Sequence, residues 1–348
     1  MVDNQGNILK CSRANVSNLA RSRFGYTAST NLIPILENIF GPLEEGEVYS
    51  STDYSRDGEV ITLQQASEGN GINIVFMGDA YTDRDMGNGG LYEELMRQSM
   101  EQFFSIEPYK TFRNRFNVFA VKVVSKHGKT GPDYSTALGT GASYSYISTG
   151  PVEVCYEYAL KVPGITSDKN LLVGVLVNSA SGRGIASMSE NRQSSVAFYG
   201  SSGNDPDIFG CVLIHEAGGH GFAFLADEYC EASGTPSQEF MDTYNRLYGE
   251  YGWYSNIDFT NDPLKIRWSA FLFDKRYSGE IGIFEGAGSR RRSSVPVPAS
   301  TGNPTLRRSF FLSGFSLLAA AALLCVPQAI QLAGVGKRAQ GICFDVRY

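Results

Sequence analysis

His215-Glu216-Ala217-Gly218-Gly219-His220 holds two of the chain's three histidines and sets a carboxylate directly after the first. Neutral imidazole nitrogens bind Zn2+ well, and a glutamate beside the first ligand can take a proton from a water that the metal has acidified. The stretch therefore reads as a zinc-hydrolase arrangement. Asp227-Glu228-Tyr229, starting seven residues past His220, offers the missing carboxylate ligand. Chemistry permits Asp227 or Glu228; adjacent residues at a helix end or turn point in different directions, so one of the two faces the metal.

The spacing decides what the backbone must do. In H-E-x-x-H the histidines are four apart and lie roughly 40° apart on one helix face. Here they are five apart, which on a regular helix means about 140°, too wide for both rings to reach one ion. A π-type bulge, at about 4.4 residues per turn, brings them back to roughly 50°. Gly218 and Gly219 cost about 1 kcal/mol each relative to alanine inside a helix, so their presence between the histidines points to a backbone distortion or a close approach of substrate. Histidines beside an apolar run such as Cys211-Val212-Leu213-Ile214 also occur as hydrogen-bonded core residues. The acidic pair one to two turns later, and the scarcity of histidine elsewhere, favour a metal site.

Outward from the motif the pattern alternates. Val60 to Leu63 and Ile72 to Met77 read as strands, and the second ends in a Gly78-Asp79 turn. Leu91 to Phe104 has apolar residues at helical spacing, Phe116 to Val124 reads as a strand and Val152 to Leu160 as a helix. Leu171 to Val177 is a continuous apolar run, as expected of a buried central strand. Residues 128–150 read as a Gly/Ser/Thr-rich surface loop, and 178–206 as loop before the motif helix begins near Asp205-Pro206-Asp207. Alternating strands and helices give an α/β fold, with a mixed sheet and an active-site helix carrying HEAGGH, the general plan of zincin-like catalytic domains. Asp79, Asp83 and Asp85 suit Ca2+ or, better, turn formation and helix capping. His127 reads as an exposed loop residue and Cys211 as a buried free thiol.

With 348 residues, 42% of them hydrophobic, the chain can bury a substantial core. Its charge is uneven: residues 287–348 carry eight Lys/Arg and one Asp, leaving 22 basic against 35 acidic side chains in residues 1–286. An acidic body with scattered cations argues against nucleic acid as a partner. The six cysteines show no C-x-x-C spacing. Met1-Val2-Asp3-Asn4-Gln5-Gly6 has neither the basic nor the apolar region of a signal peptide.

The segment His215 to Tyr229, H-E-A-G-G-H-G-F-A-F-L-A-D-E-Y, resembles the active-site signature of the igalysins, the IgA-peptidase family of zinc metallopeptidases, in its Bacteroidetes form. Ile74 to Asp83 resembles the family's strand and turn near the start of the catalytic domain. Phe103-Phe104-Ser105, Pro108-Tyr109, Phe112-Arg113, Phe116-Asn117-Val118, Trp253, Asn256, Asp258-Phe259 and Lys265 to Ser269 continue the likeness, which runs from about residue 5 to Gly286. It implies His215, His220 and Asp227 as the ligands of Zn2+ and Glu216 as general base. It further implies an endopeptidase acting on an extracellular protein, with an immunoglobulin or glycoprotein as the candidate substrate, and a location outside the cell or at its surface.

Three segments follow: 1–60 as an entry segment, either a true start or the end of a β-sandwich domain such as relatives carry; 61–286 as the catalytic domain; and 287–348 as an atypical basic and apolar tail, frameshifted or disordered. The tail lacks the family's Trp-Arg-Pro and Met-containing turn, and runs through Arg290-Arg291-Arg292 and Pro/Ser-rich sequence into an apolar stretch, 310–326. Read literally that stretch is a short membrane anchor; the favoured reading is a frameshifted ending. A catalytically impaired, non-enzymatic cell-surface or binding relative is the alternative function.

Overall fold

The structure, a computed structural model, describes residues 48–143, 146–227, 232–233, 236–275, 281–285, 290–291 and 310–311. The chain divides into two compact units, Met1–Ser50 and Ser51–Tyr348, and the elements named here all lie in the second. Its architecture is mixed α/β. Six strands form one sheet: β1 (Val60–Gln64), β2 (Ile72–Asp79), β3 (Phe116–Val121), β6 (Leu172–Val177), β7 (Gly184–Ser189) and β8 (Ser194–Gly200), in the order β1-β3-β2-β6-β8-β7. The four inner strands run parallel, and both edge strands pair antiparallel, which makes the sheet mixed. Two-residue strands β4 (Gly141–Ala142) and β5 (Ile147–Ser148) form a small hairpin inside the predicted surface loop.

Side-chain alternation along β2 divides the core. Ile74 and Phe76 point to one face, where helix α1 (Leu91–Phe103) contributes Leu95, Met96 and Phe103, and helix α3 (Pro206–Leu213) contributes Phe209 and Leu213. Val75 and Met77 point to the other face, covered by Cys155, Tyr156 and Ala159 of helix α2 (Val152–Ala159). Inner strands buried on both faces must be apolar throughout, which is why β6 reads Leu-Val-Gly-Val-Leu-Val. Gly174 within it is a close-approach glycine: a Cβ there would lie 2.6 Å from Cδ1 of Phe76.

Residues 178–206 correct the loop reading, because they hold β7 and β8. All seven residues of β8 are buried. Its serines suggest a turn in isolation but are spent on long-range backbone partners: Leu171 N–H donates to Ser194 Oγ at 3.0 Å, and Ser195 Oγ–H donates to the Gly221 carbonyl at 2.7 Å. Satisfied in this way, small polar residues are accepted in a central strand. Cys211 is a second correction. Phe209, Gly210 and Leu213 form the buried stripe of α3, and Cys211 falls on the opposite, exposed side. No helix among the described residues is long and apolar enough to cross a membrane; the apolar stretch 310–326 lies outside them but for residues 310–311.

Candidate metal centre

Helix α3 is started by Asp205, whose carboxylate accepts from Asp207 N at 3.1 Å and Ile208 N at 3.4 Å, with Pro206 in the first turn. It continues directly into a π-helix, Ile214–Phe222, which contains both motif histidines. The wider turn is visible at its end, where Ala223 N–H donates to the carbonyl of Gly218, five residues back, at 3.1 Å. One turn of this helix spans the five-residue interval, and the rings meet edge to face with centroids 4.7 Å apart. The Nε2 atoms of His215 and His220 are 3.2 Å apart.

After the π-helix the chain reverses through Phe224, which has a left-handed φ of 51° and stacks on Trp253 at 4.5 Å. Tyr254 N–H donates to the Phe224 carbonyl at 2.9 Å. Buried Asn256 then grips the next backbone unit from both sides: its Oδ1 accepts from Ala226 N at 2.9 Å and its Nδ2 donates to Ala226 O at 2.7 Å. Asp227 follows, with Oδ1 at 3.0 Å from His220 Nε2 and 3.3 Å from His215 Nε2. One ligand-type atom from each of the three residues thus lies in a single small cluster.

The ring of His220 has a fixed orientation. Its Nδ1 is 2.7 Å from the Leu225 carbonyl, which can only accept, so Nδ1 carries the proton and Nε2 turns towards Asp227 and His215. Three lone-pair bearers at this separation repel unless positive charge sits among them. A proton is one answer: burial disfavours the His220 imidazolium, but the hydrogen bond and charge of Asp227, with the Leu225 carbonyl and the charge of Glu216, together outweigh that and the pKa rises. Burial likewise opposes ionisation of Asp227, yet hydrogen bonds from His215 and His220 hold its carboxyl well below the usual range. A divalent cation is the other answer, and the donor set of two imidazoles and one carboxylate, with a hydrogen-bonded second nitrogen behind one ring, suits it.

Glu216 is buried beside this cluster, and burial pushes its carboxyl pKa up against the opposing pull of His220 and His215. The side chain fits because β7 begins with glycine: a Cβ at Gly184 would lie 2.4 Å from Glu216 Cγ and 2.8 Å from the Phe198 carbonyl. The edge strand β7 therefore runs alongside the motif glutamate. Glu228 and Tyr229, the alternative ligand and the last motif residue, lie outside the described residues, as does Cys230.

The remaining candidates have other work. The Asp79 carboxylate is fully buried and accepts from Ala80 N, Leu138 N, Thr140 N and the hydroxyls of Ser125 and Thr140, at 2.6–3.2 Å. Asp83 accepts from Thr52 N and Asp53 N, and Asp85 caps Thr82. His127 Nδ1 accepts from Ser135 N within its turn. Residues that sequence reasoning did not assign to the centre include Gly184, Tyr109 and Ser195, whose partners are remote in sequence.

Compared with models of known protein families, residues 61–276 match the one described as IgA Peptidase M64. No curated protein matches the chain.

Proposed function

The chain belongs to the IgA peptidase M64 family, a metallopeptidase family, and on that premise we propose that it is a zinc-dependent endopeptidase of zincin-like plan, with His215, His220 and Asp227 as ligands and Glu216 as general base. The observation that carries this reading is the 3.0–3.3 Å triangle of His215 Nε2, His220 Nε2 and Asp227 Oδ1. Bonds of about 2.0–2.1 Å to a tetrahedral ion put its ligand atoms roughly 3.3 Å apart. The triangle has the size zinc requires.

Bound zinc supplies Lewis acidity and makes water a competent nucleophile near neutral pH. The chain's own residues do the rest. Glu216 takes the proton from water as it adds to the scissile carbonyl and delivers that proton to the leaving amine. Its burial beside β7 keeps the carboxylate basic enough for both transfers. Strand β7 ends the sheet among the described residues, next to Glu216, and an edge strand is a surface on which an extended peptide can pair through its backbone. A protein or peptide is thus the substrate class, with an immunoglobulin or glycoprotein encountered outside the cell or at its surface as the setting that the family likeness suggests.

A non-catalytic binding relative is the second reading, drawn from the departure of residues 287–348 from the family's expected ending. The two separate on one experiment. Purified protein is incubated with immunoglobulin A and with a mixed peptide library, and new N-termini are read by mass spectrometry. Cleavage inside chains, abolished by chelator and restored by Zn2+, is expected of the wild type. Glu216→Ala should lose activity by at least about a hundred-fold with its zinc retained. Undiminished cleavage by that variant would remove Glu216 as the base, and no cleavage by the wild type would favour the binding relative.

A further inference from the structure

A π-helix is a poor structure by default: its hydrogen bonds are less favourable than those of an α-helix, and a segment of mixed sequence persists in it only where something outside the helix holds the register. Two buried hydroxyls touch this one. Tyr109 Oη–H donates to the Gly218 carbonyl at 2.6 Å, and Ser195 Oγ–H donates to the Gly221 carbonyl at 2.7 Å. Neither belongs to the helix. Tyr109 follows α1, and Ser195 lies in the inner strand β8. The two carbonyls they hold flank His220 in sequence, one before it and one after it.

The surroundings make both contacts directional. Tyr109 is 1% exposed, and its ring packs on Phe103 with centroids 4.4 Å apart and on Phe222, within the π-helix, at 5.4 Å. A Cβ on Gly218 would come to 3.2 Å from Tyr109 Cε2, and one on Gly221 to 3.1 Å from Ser195 Oγ. The two glycines therefore let the helix backbone settle against the two hydroxyls. Relaxation towards α-helical register would rotate these carbonyls off their donors while reopening the angle between His215 and His220 towards about 140°.

We propose that Tyr109 and Ser195 are positioning residues that clamp the π-turn, so that the Nε2 atoms of His215 and His220 are held at metal-binding separation before any metal arrives. The inference rests on the metal-centre reading given above. It places the origin of metal affinity partly in residues that touch neither metal nor substrate. Tyr109→Phe deletes one oxygen and keeps the ring packing; Ser195→Ala does the same on the other side with little loss of volume.

The test is titration of the full-length protein with Co2+, following the visible absorption bands of the ion, alongside the thermal midpoint of each protein without metal. Tyr92→Phe is the control, because Tyr92 is an equally buried tyrosine whose hydroxyl bonds Gly78 N and Val121 O, both at 2.7 Å, away from the π-turn. Tyr109→Phe and Ser195→Ala are each expected to weaken Co2+ binding about ten-fold or more and to alter its spectrum, whereas Tyr92→Phe lowers the thermal midpoint and leaves Co2+ affinity and spectrum as in the wild type. Wild-type affinity and spectrum in both clamp variants would overturn the proposal, as would equal weakening in all three. Should the tyrosine variant not fold, Ser195→Ala alone decides. A wild-type protein that takes up no Co2+ would instead overturn the metal-centre reading on which the inference stands.

Discussion

Two carboxylates, Asp79 at the end of β2 and Asp227 after the π-helix, have opposite relations to their surroundings. Asp79 has five donors on its two oxygens and ties the turn after β2 to residues 125, 138 and 140. It does the holding. Asp227 is itself held: Asn256 fixes the peptide unit before it, and its Oδ1 is turned to two imidazole nitrogens. The difference separates a structural carboxylate from a candidate ligand. Where backbone and hydroxyl donors saturate the oxygens, no coordination site is left; where neighbouring backbone is gripped and an oxygen meets two imidazole nitrogens, a proton or a metal ion can lie between them.

The largest effects should come from removing each acid. Asp227→Ala is expected to abolish tight zinc uptake with little change in thermal midpoint. Asp79→Ala should leave several buried donors without an acceptor and cost at least about 3 kcal/mol, while the protein that remains folded binds zinc as before. Chemical denaturation and zinc titration of both variants read the two outcomes. The comparison breaks if Asp79→Ala loses zinc while still folded, or if Asp227→Ala keeps it.

A smaller effect sharpens the idea that Asp227 is held from outside. Asn256→Ala removes both hydrogen bonds to Ala226, and an unsatisfied buried backbone pair costs about 1–3 kcal/mol per group. Zinc affinity should fall along with stability, by about ten-fold, because a ligand loses its orientation. Equal destabilisation with unchanged zinc affinity would mean that Asp227 needs no such support.

The smallest effect concerns a carboxylate of the holding kind. Glu93 accepts from Gly89 N at 2.9 Å and pairs with the fully buried Lys122 ammonium at 2.8 Å. The Lys122 hydrogen bond, then that of Gly89, keeps its pKa below the ordinary 4.5. A pKa depressed by folding contributes stability that is complete above the unfolded value and is lost as pH falls through the folded one. Glu93→Gln should therefore flatten the loss of stability between about pH 5 and pH 3, as measured by urea midpoints. An unchanged slope would show that the pair does not bear on acid sensitivity.

Much of this was legible in residues and spacing, and the rest fails for identifiable reasons. Continuous apolar runs mark β2 and β6 because inner parallel strands have no polar face to show. The five-residue histidine interval called for a wider helical turn, and the segment is a π-helix. What the sequence conceals is long-range satisfaction. Ser194 and Ser195 read as turn residues until their partners at Leu171 and Gly221 are known. Tyr109 meets Gly218 across 109 residues, and no local pattern announces that contact. Gly184 is needed only because Glu216 lies against it. Cys211 next to an apolar run suggested burial, but helical periodicity turns it outward.

The central claim is that a π-turn brings His215 and His220 together with Asp227 into one metal centre. Its most direct test is zinc bound per chain after equilibration and dialysis, in the full-length wild type and in His220→Ala. The account requires about one equivalent in the wild type and a loss of that equivalent in the variant, with both proteins folded by circular dichroism. No zinc in the folded wild type, or the same uptake in both, would contradict it.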